Sequence, residues 1–376
     1  MTKFIPLSTP VFDDKEKENI FNAINLGQLA TSGKFIEGFE EAIQRRYGDI
    51  QVAVLNSGTS AIHLALKLLG IGEGDEVMCQ SLTFCATANP ITYLGGSPVF
   101  IDSETQTWNI CPEALSKAIE DRISKGKKPK AILTVDLFGM PAKYDDLLKI
   151  AATFEIPIIE DAAEAMGSSL NGKQCGTFGE FGIFSFNGNK IITTGGGGAI
   201  LSSNPEMITK AKYLSVQARE NYKYYVHNEV GYNYRMNNMS AAVGVAQIEK
   251  LNHKIDRRRE VYQNYYYLLS NLDGISFLDE PDGFFSNRWL SAILIDKAKT
   301  GFSNEELRLE LLTQNIEARY LWKPLHTQPS FKNYSYYGNG VSNDLFERGL
   351  CLPSSEDLTL ADQERIVKVI LELIRN

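Results

Sequence analysis

The chain has 376 residues, 43% hydrophobic and 22% charged, with a formal net charge of −8, which allows two domains and a sizeable core. The negative balance argues against nucleic acid as a principal partner, and no apolar run reaches the ~18 residues of a membrane span. The first twenty residues lack the apolar core of a signal peptide, and the five cysteines form no CxxC pair, a pattern that reads as reduced thiols in a cytoplasmic protein.

From residue 50 a rhythm begins. "VAVLN" (52–56) predicts a strand and "TSAIHLALKLLG" (59–70) an amphipathic helix. Further strands are predicted at 75–80, 97–102, 130–139 and 156–165, with helices at 87–96, 112–124 and 144–155 between them. Such alternation predicts βαβ units around a mostly parallel sheet. Ligands of such sheets collect at the carboxyl ends of the strands. Two short strands, "IFSF" and "AILSS", flank a lysine and a glycine run, and a helix follows at 205–215. The polar, aromatic-rich stretch 217–237 has no clean period and reads as a long ordered loop. A helical pattern then runs from Ser240 to Leu272, leading into mixed elements: a strand at 286–295, a helix at 304–315 and a closing helix at 360–376. The expected division is a large domain over 1–245 and a smaller C-terminal α+β domain over 246–376.

Chemistry is sought just after each apolar run. "IFSFNGNKIITTGGGG" (183–198) invites a phosphate-loop reading, but its spacing fails GxxxxGK[ST] and no hydroxyl residue follows Lys190. GxGxxG after an early strand and GxSxG are absent, and the four histidines show no metal-ligand spacing; no metal is expected. "NSGTS" (56–60) places Gly58 and Thr59 where a strand hands over to a helix, able either to seat a phosphate or to act as an ordinary cap. "IPIIEDAAEAMG" (156–167) ends a buried strand on Glu160 and Asp161, where a carboxylate needs a cation, a cap or a protonated ring nitrogen. Phe84 in "SLTFCATAN" (81–89) suits core packing or stacking on a flat cofactor. Lys190 suits a surface position or attack on a carbonyl. Taken together in chain order, a phosphate seat, an aromatic platform, a ring-nitrogen acid and an imine-forming lysine match the needs of pyridoxal phosphate.

"NSGTSAIHLAL", "SLTFCATAN", "IEDAAEAMG", "FGEFGIFSFNGNKIITTGGGG", "VGYNYRMNNMSAAVGVAQIEKL" and "LWKPLHTQ" resemble, in order and over essentially the whole chain, the DegT/DnrJ family of sugar-nucleotide aminotransferases. The resemblance implies the fold-type I architecture of pyridoxal phosphate enzymes: a mostly parallel, seven-stranded-type sheet between helices. "FNGNKIITT", "SNRWLS" and "LWKPLHTQPSF" look most like the 4-aminotransferases of bacillosamine-type pathways. These aminate a UDP-linked 4-ketosugar with L-glutamate as donor and 2-oxoglutarate as by-product. A dTDP- or GDP-linked ketosugar, or amination at C3, is the alternative.

Carried over by motif, the resemblance makes Lys190 the covalent and proton-transferring lysine and Asp161 the partner of the ring nitrogen. Gly58, Thr59 and Ser185 would hold the phosphate, and Phe84 would stack on the ring. Glu164, where many members have glutamine or histidine, is a cofactor-pocket residue. Asn233 would reach the phosphate of a partner subunit, implying a homodimer with shared sites. Arg235 and His326 are candidate substrate contacts.

Overall fold

The computed structural model describes residues 3–375. Its main sheet has eight strands, in the spatial order Gln51–Leu55, Gly198–Ser202, Phe181–Ser185, Ile158–Asp161, Ala131–Val135, Glu76–Gln80, Ser97–Ile101 and Tyr336–Tyr337. Gly198–Ser202 runs antiparallel to both neighbours; the other pairings are parallel. This is the fold-type I architecture, with one short strand from the C-terminal third added at the edge. Side chains alternate across it: Val52 and Val54 enter the core on one face, Ala53 and Leu55 the core on the other, as the two-residue period of a strand demands.

Helix boundaries follow local chemistry. Ser57 caps Gly58–Leu68 by accepting from the Ser60 amide, and Asn204 caps Pro205–Ser215 with proline at its first position. The first fifty residues, which carry no predicted element, form helices Asp14–Asn25 and Lys34–Tyr47. The first carries a capping box between Asp13 and Glu16. Both pack on Asn238–Glu249.

The helix expected over 240–272 is two helices, Asn238–Glu249 and Leu251–Leu269. They part at Lys250, whose ammonium lies 2.6 Å from Asp13 and 2.8 Å from Glu16. The expected boundary at 245/246 falls inside Asn238–Glu249. The strand expected over 286–295 is confined to Ser291–Ile295, because Arg288 takes a left-handed φ of 52°, which strand geometry excludes. A four-stranded antiparallel sheet, Ile275–Phe277, Ser291–Ile295, Gly349–Leu352 and Arg319–Tyr320, carries the C-terminal core. Ile5 is buried in that core too, bridging to Ile316.

A third, small sheet pairs Phe284–Phe285 with Ser169–Leu170, and these with Lys173–Gln174. It ties the chain leaving Asp161 to the chain approaching Trp289. No helix among the described residues is long and apolar enough to cross a membrane, and the five cysteines form no disulfide.

Candidate active site

A cavity of about 510 Å³ opens at the carboxyl ends of the central strands, with Lys190, Asp161, Glu164, Phe84, Gly58 and Ser185 in its wall. Thr59 lines it as well. Separate stretches of sequence converge there because parallel strands present their ends on one side.

Asp161 ends its strand with its carboxyl buried. Oδ2 accepts from the Thr87 hydroxyl at 2.8 Å, and Oδ1 from the Ala163 amide at 3.3 Å. Burial is the largest influence and pushes this carboxyl up to about 6, against the opposing pull of Thr87 and of the Lys190 charge. An acid so placed suits a cationic ring nitrogen, whose charge would favour the ionised form.

Gly58 and Thr59 open a helix, so their amides have no acceptor within it. Ser185, at the end of Phe181–Ser185, stands beside them: a Cβ on Gly58 would meet the Ser185 Cβ at 3.1 Å. Glycine at 198 is required by close approach, since a Cβ there would lie 2.4 Å from the Gly58 amide nitrogen. At Gly195 and Gly196 a Cβ would meet nothing within 4 Å. The glycine run therefore divides into open backbone at 195–196 and packing space at 197–198.

Lys190 sits in the loop after Phe181–Ser185, largely buried. Its Nζ is 3.3 Å from Oε1 of Glu164 and 4.1 Å from the centroid of the Trp289 ring. Glu164 is itself fixed, its Oε2 accepting from the Phe138 amide at 2.7 Å. Phe84 is 51% exposed, an unusual state for a phenylalanine with one flank already against Trp322, ring centroids 5.1 Å apart. Its remaining face suits a flat ring. An anion seat, an exposed aromatic face, a buried acid and a lysine in one cavity fit pyridoxal phosphate.

Two expected contacts, Arg235 and His326, lie elsewhere, and Asn233, expected at a partner's site, lies outside this cavity. The Asn233 side chain is exposed and outside this cavity, and its carbonyl accepts from Nδ2 of Asn56 at 3.1 Å. Arg235 is not brought to the cavity: its guanidinium is spent on Glu40 at 2.5 Å and on the Val54 carbonyl at 3.1 Å. His326 bonds Ser81 Oγ through Nδ1 at 2.7 Å and stacks on Tyr336 at 3.8 Å. It braces the segment that carries Phe84 rather than lining the cavity. Burial pushes its imidazole below the usual range.

Sequence reasoning missed Thr87, Trp289, Arg319 and Trp322. Thr87 lies inside the quoted "SLTFCATAN" but carries no signal distinguishing it from a turn residue. Trp289 and Arg319 reach the site from the C-terminal third, which no local pattern could show.

The sequence pattern of the DegT/DnrJ/EryC1/StrS aminotransferase family matches residues 10–371. The chain belongs to that family. It is 46% identical over 377 residues (99% of this chain, 96% of the relative) to the putative pyridoxal phosphate-dependent aminotransferase EpsN of Bacillus subtilis. It is 35% identical over 357 residues, 95% of both chains, to the GDP-perosamine synthase of Escherichia coli O157:H7. Among solved structures it superimposes on a DegT DnrJ EryC1 StrS aminotransferase from Brucella abortus with a TM-score of 0.90, at 30% identity and 96% coverage of each chain. The protein is thus a pyridoxal phosphate-dependent aminotransferase. The UDP-specific, bacillosamine-type resemblance is not what these relatives carry in their names.

Proposed function

We propose that this aminotransferase moves the amino group of L-glutamate onto the ketone carbon of a GDP-linked ketosugar, releasing 2-oxoglutarate, with Lys190 as its covalent residue. One observation carries the reading of the site: Lys190 and the buried acid Asp161 share one cavity with the helix start at Gly58. The GDP preference over the expected UDP-linked 4-ketosugar rests on the GDP-perosamine synthase relative, alike over 95% of both chains.

Bound pyridoxal phosphate supplies an electron sink for the carbon that loses its proton. Gly58, Thr59 and Ser185 bind its phosphate through helix-start amides and a hydroxyl. Asp161, oriented by Thr87, holds a proton at the ring nitrogen. Phe84 covers a ring face and excludes water. Nζ of Lys190 removes the proton from the donor carbon and returns one on the far side of the transfer. Of the residues lining the cavity, only Lys190 and Arg319 are cationic. Arg319 is 64% exposed on its side chain and paired with Glu317 at 2.6 Å, a solvent-screened pair weak enough to be exchanged for a carboxylate of glutamate.

Asn233 lies on the surface, where it can meet a second copy, and the reading includes a homodimer with shared sites. Purified enzyme, glutamate and a panel of GDP-, dTDP- and UDP-linked ketosugars test the substrate, with 2-oxoglutarate as readout. Turnover with the GDP sugar is expected to exceed the others at least about tenfold. Turnover with the UDP sugar alone restores the UDP reading, and none with any member refutes both.

A further inference from the structure

Trp289 is 1% exposed and the largest fully buried side chain among the described residues, yet one face of it is given to a charged amine rather than to core. Three contacts tie it to the lysine and its surroundings. Nζ of Lys190 lies 4.1 Å from its ring centroid. Its indole Nε1 donates to the carbonyl of Asn189, the residue preceding Lys190, at 2.7 Å. Its own amide donates to Oδ1 of Asn287 at 2.9 Å.

Asn287 closes a circuit. It is fully buried, and its Nδ2 donates to the carbonyl of Glu164 at 2.9 Å and of Met166 at 3.1 Å. Its amide donates to Ser168 Oγ at 2.9 Å. Glu164 then faces Lys190 at 3.3 Å. A Cβ on Gly139 would collide with Asn287 Oδ1, so the glycine leaves the space that the Asn287 side chain fills. Lysine, tryptophan, asparagine and glutamate form a closed ring of contacts joining the strand-end loops to the C-terminal segment.

A freed lysine has a long stem of rotatable bonds and would otherwise sample many rotamers. A desolvated indole face attracts an ammonium, and a buried carboxylate anchors it. We propose that Trp289 and Glu164, joined through Asn287, form the holding site of the Lys190 ammonium during the half of the reaction in which that amine is not bonded to the cofactor. Trp289 is thereby a positioning residue for proton transfer and re-bonding, because it keeps the amine near its reacting geometry. This rests on Lys190 being the covalent residue.

The test uses holoenzyme converted to its amine form with glutamate and then mixed rapidly with 2-oxoglutarate, following return of the visible absorbance of the lysine-bound cofactor. Trp289→Leu is expected to slow that return on the order of 10-fold or more, as small misplacements do, with little change in the 2-oxoglutarate concentration giving half the maximal rate. Trp289→Phe keeps an aromatic face and is expected to recover part of the rate. Return at the wild-type rate in both variants, or an equal fall in both, overturns the proposal. Should Trp289→Leu fail to fold, Trp289→Phe alone decides: a fall of about 2- to 5-fold supports the holding site and an unchanged rate overturns it. Lys190→Ala separates the two readings. Visible absorbance surviving in that variant removes Lys190 from its role, whatever the Trp289 variants do.

Discussion

The Thr87 hydroxyl donates to Oδ2 of Asp161 over 2.8 Å, and Thr83 meets Thr87 at 2.9 Å. A polar relay thus runs from the loop that carries Phe84 to the acid at the end of the next-but-one strand. It sets the orientation of the buried carboxyl that, in the proposed mechanism, would pair with the ring nitrogen.

Asp161→Asn keeps the shape but cannot hold a proton at that nitrogen. We expect kcat/KM to fall at least ~100-fold while visible absorbance persists. Thr87→Val removes one hydrogen bond to a charged acceptor, so a smaller loss of about tenfold is expected. In cofactor-free protein the Asp161 pKa is raised to about 6 by burial. Its stabilising contribution is then present below the ordinary carboxyl value of about 4 and is lost as pH rises through about 6. Thermal melts of cofactor-free Asp161→Asn should lack that loss; an unchanged melting profile counts against the assignment.

Lys190→Ala should abolish turnover and the visible band while leaving the melting temperature within a few degrees. Mixed with Asn233→Ala chains, it should regain part of the activity through hybrid dimers in which one site is intact. Confirmed subunit exchange without recovery would show that Asn233 does not complete a partner's site.

Asp136 and Glu160 are buried together under the sheet with Cys175, their ligand atoms within 4.8 Å of one another. Asp136 Oδ1 accepts from the Ala142 amide and the Tyr144 hydroxyl, both at 2.9 Å, whereas Oδ2 has no partner of its own. Both Glu160 oxygens accept backbone amides, from Gly176 and Phe178. The groups facing the pair are Tyr144, Cys175 and Thr134, none cationic. Burial raises both carboxyls above the usual range, which favours one proton shared between them. Raised carboxyls stabilise below their ordinary values and lose that contribution as pH rises through the raised ones. Asp136→Asn places an amide donor where the shared proton sits. Relative to wild type it should gain about 1–3 kcal/mol as pH is raised from about 5 to 8. Denaturant melts with no such widening gap would exclude the shared proton.

Asp102 is the opposite case. Its buried carboxylate accepts from the amides of Ser103, Asn339, Gly340, Val341 and Ser342 at 2.8–3.0 Å. It thereby caps helix Val341–Arg348 and fastens the edge strand Tyr336–Tyr337. Burial alone would raise its pKa, but hydrogen bonds from Ser342 and Ser103 outweigh it and hold it below the usual value. Its contribution is present above about pH 4 and is lost as pH falls through the lowered value. Asp102→Ala should cost roughly 2–4 kcal/mol in denaturant melts. A cost under ~1 kcal/mol would show the clamp to be dispensable.

Lys190, Asp161, Phe84 and Gly58 were legible because each follows an apolar run, and parallel topology brings strand ends to one side. Those runs, and the helix periods between them, express side-chain alternation over a few residues, which the sequence determines by itself. Trp289 meets Asn189 from 100 positions away, His326 meets Ser81 from 245 away, and Arg235 is drawn to Glu40 from 195 away. No local period reports such pairings. They depend on which faces pack together and where a buried charge finds its partner, so only the tertiary structure could turn two expected substrate contacts into braces and reveal the tryptophan beneath the lysine.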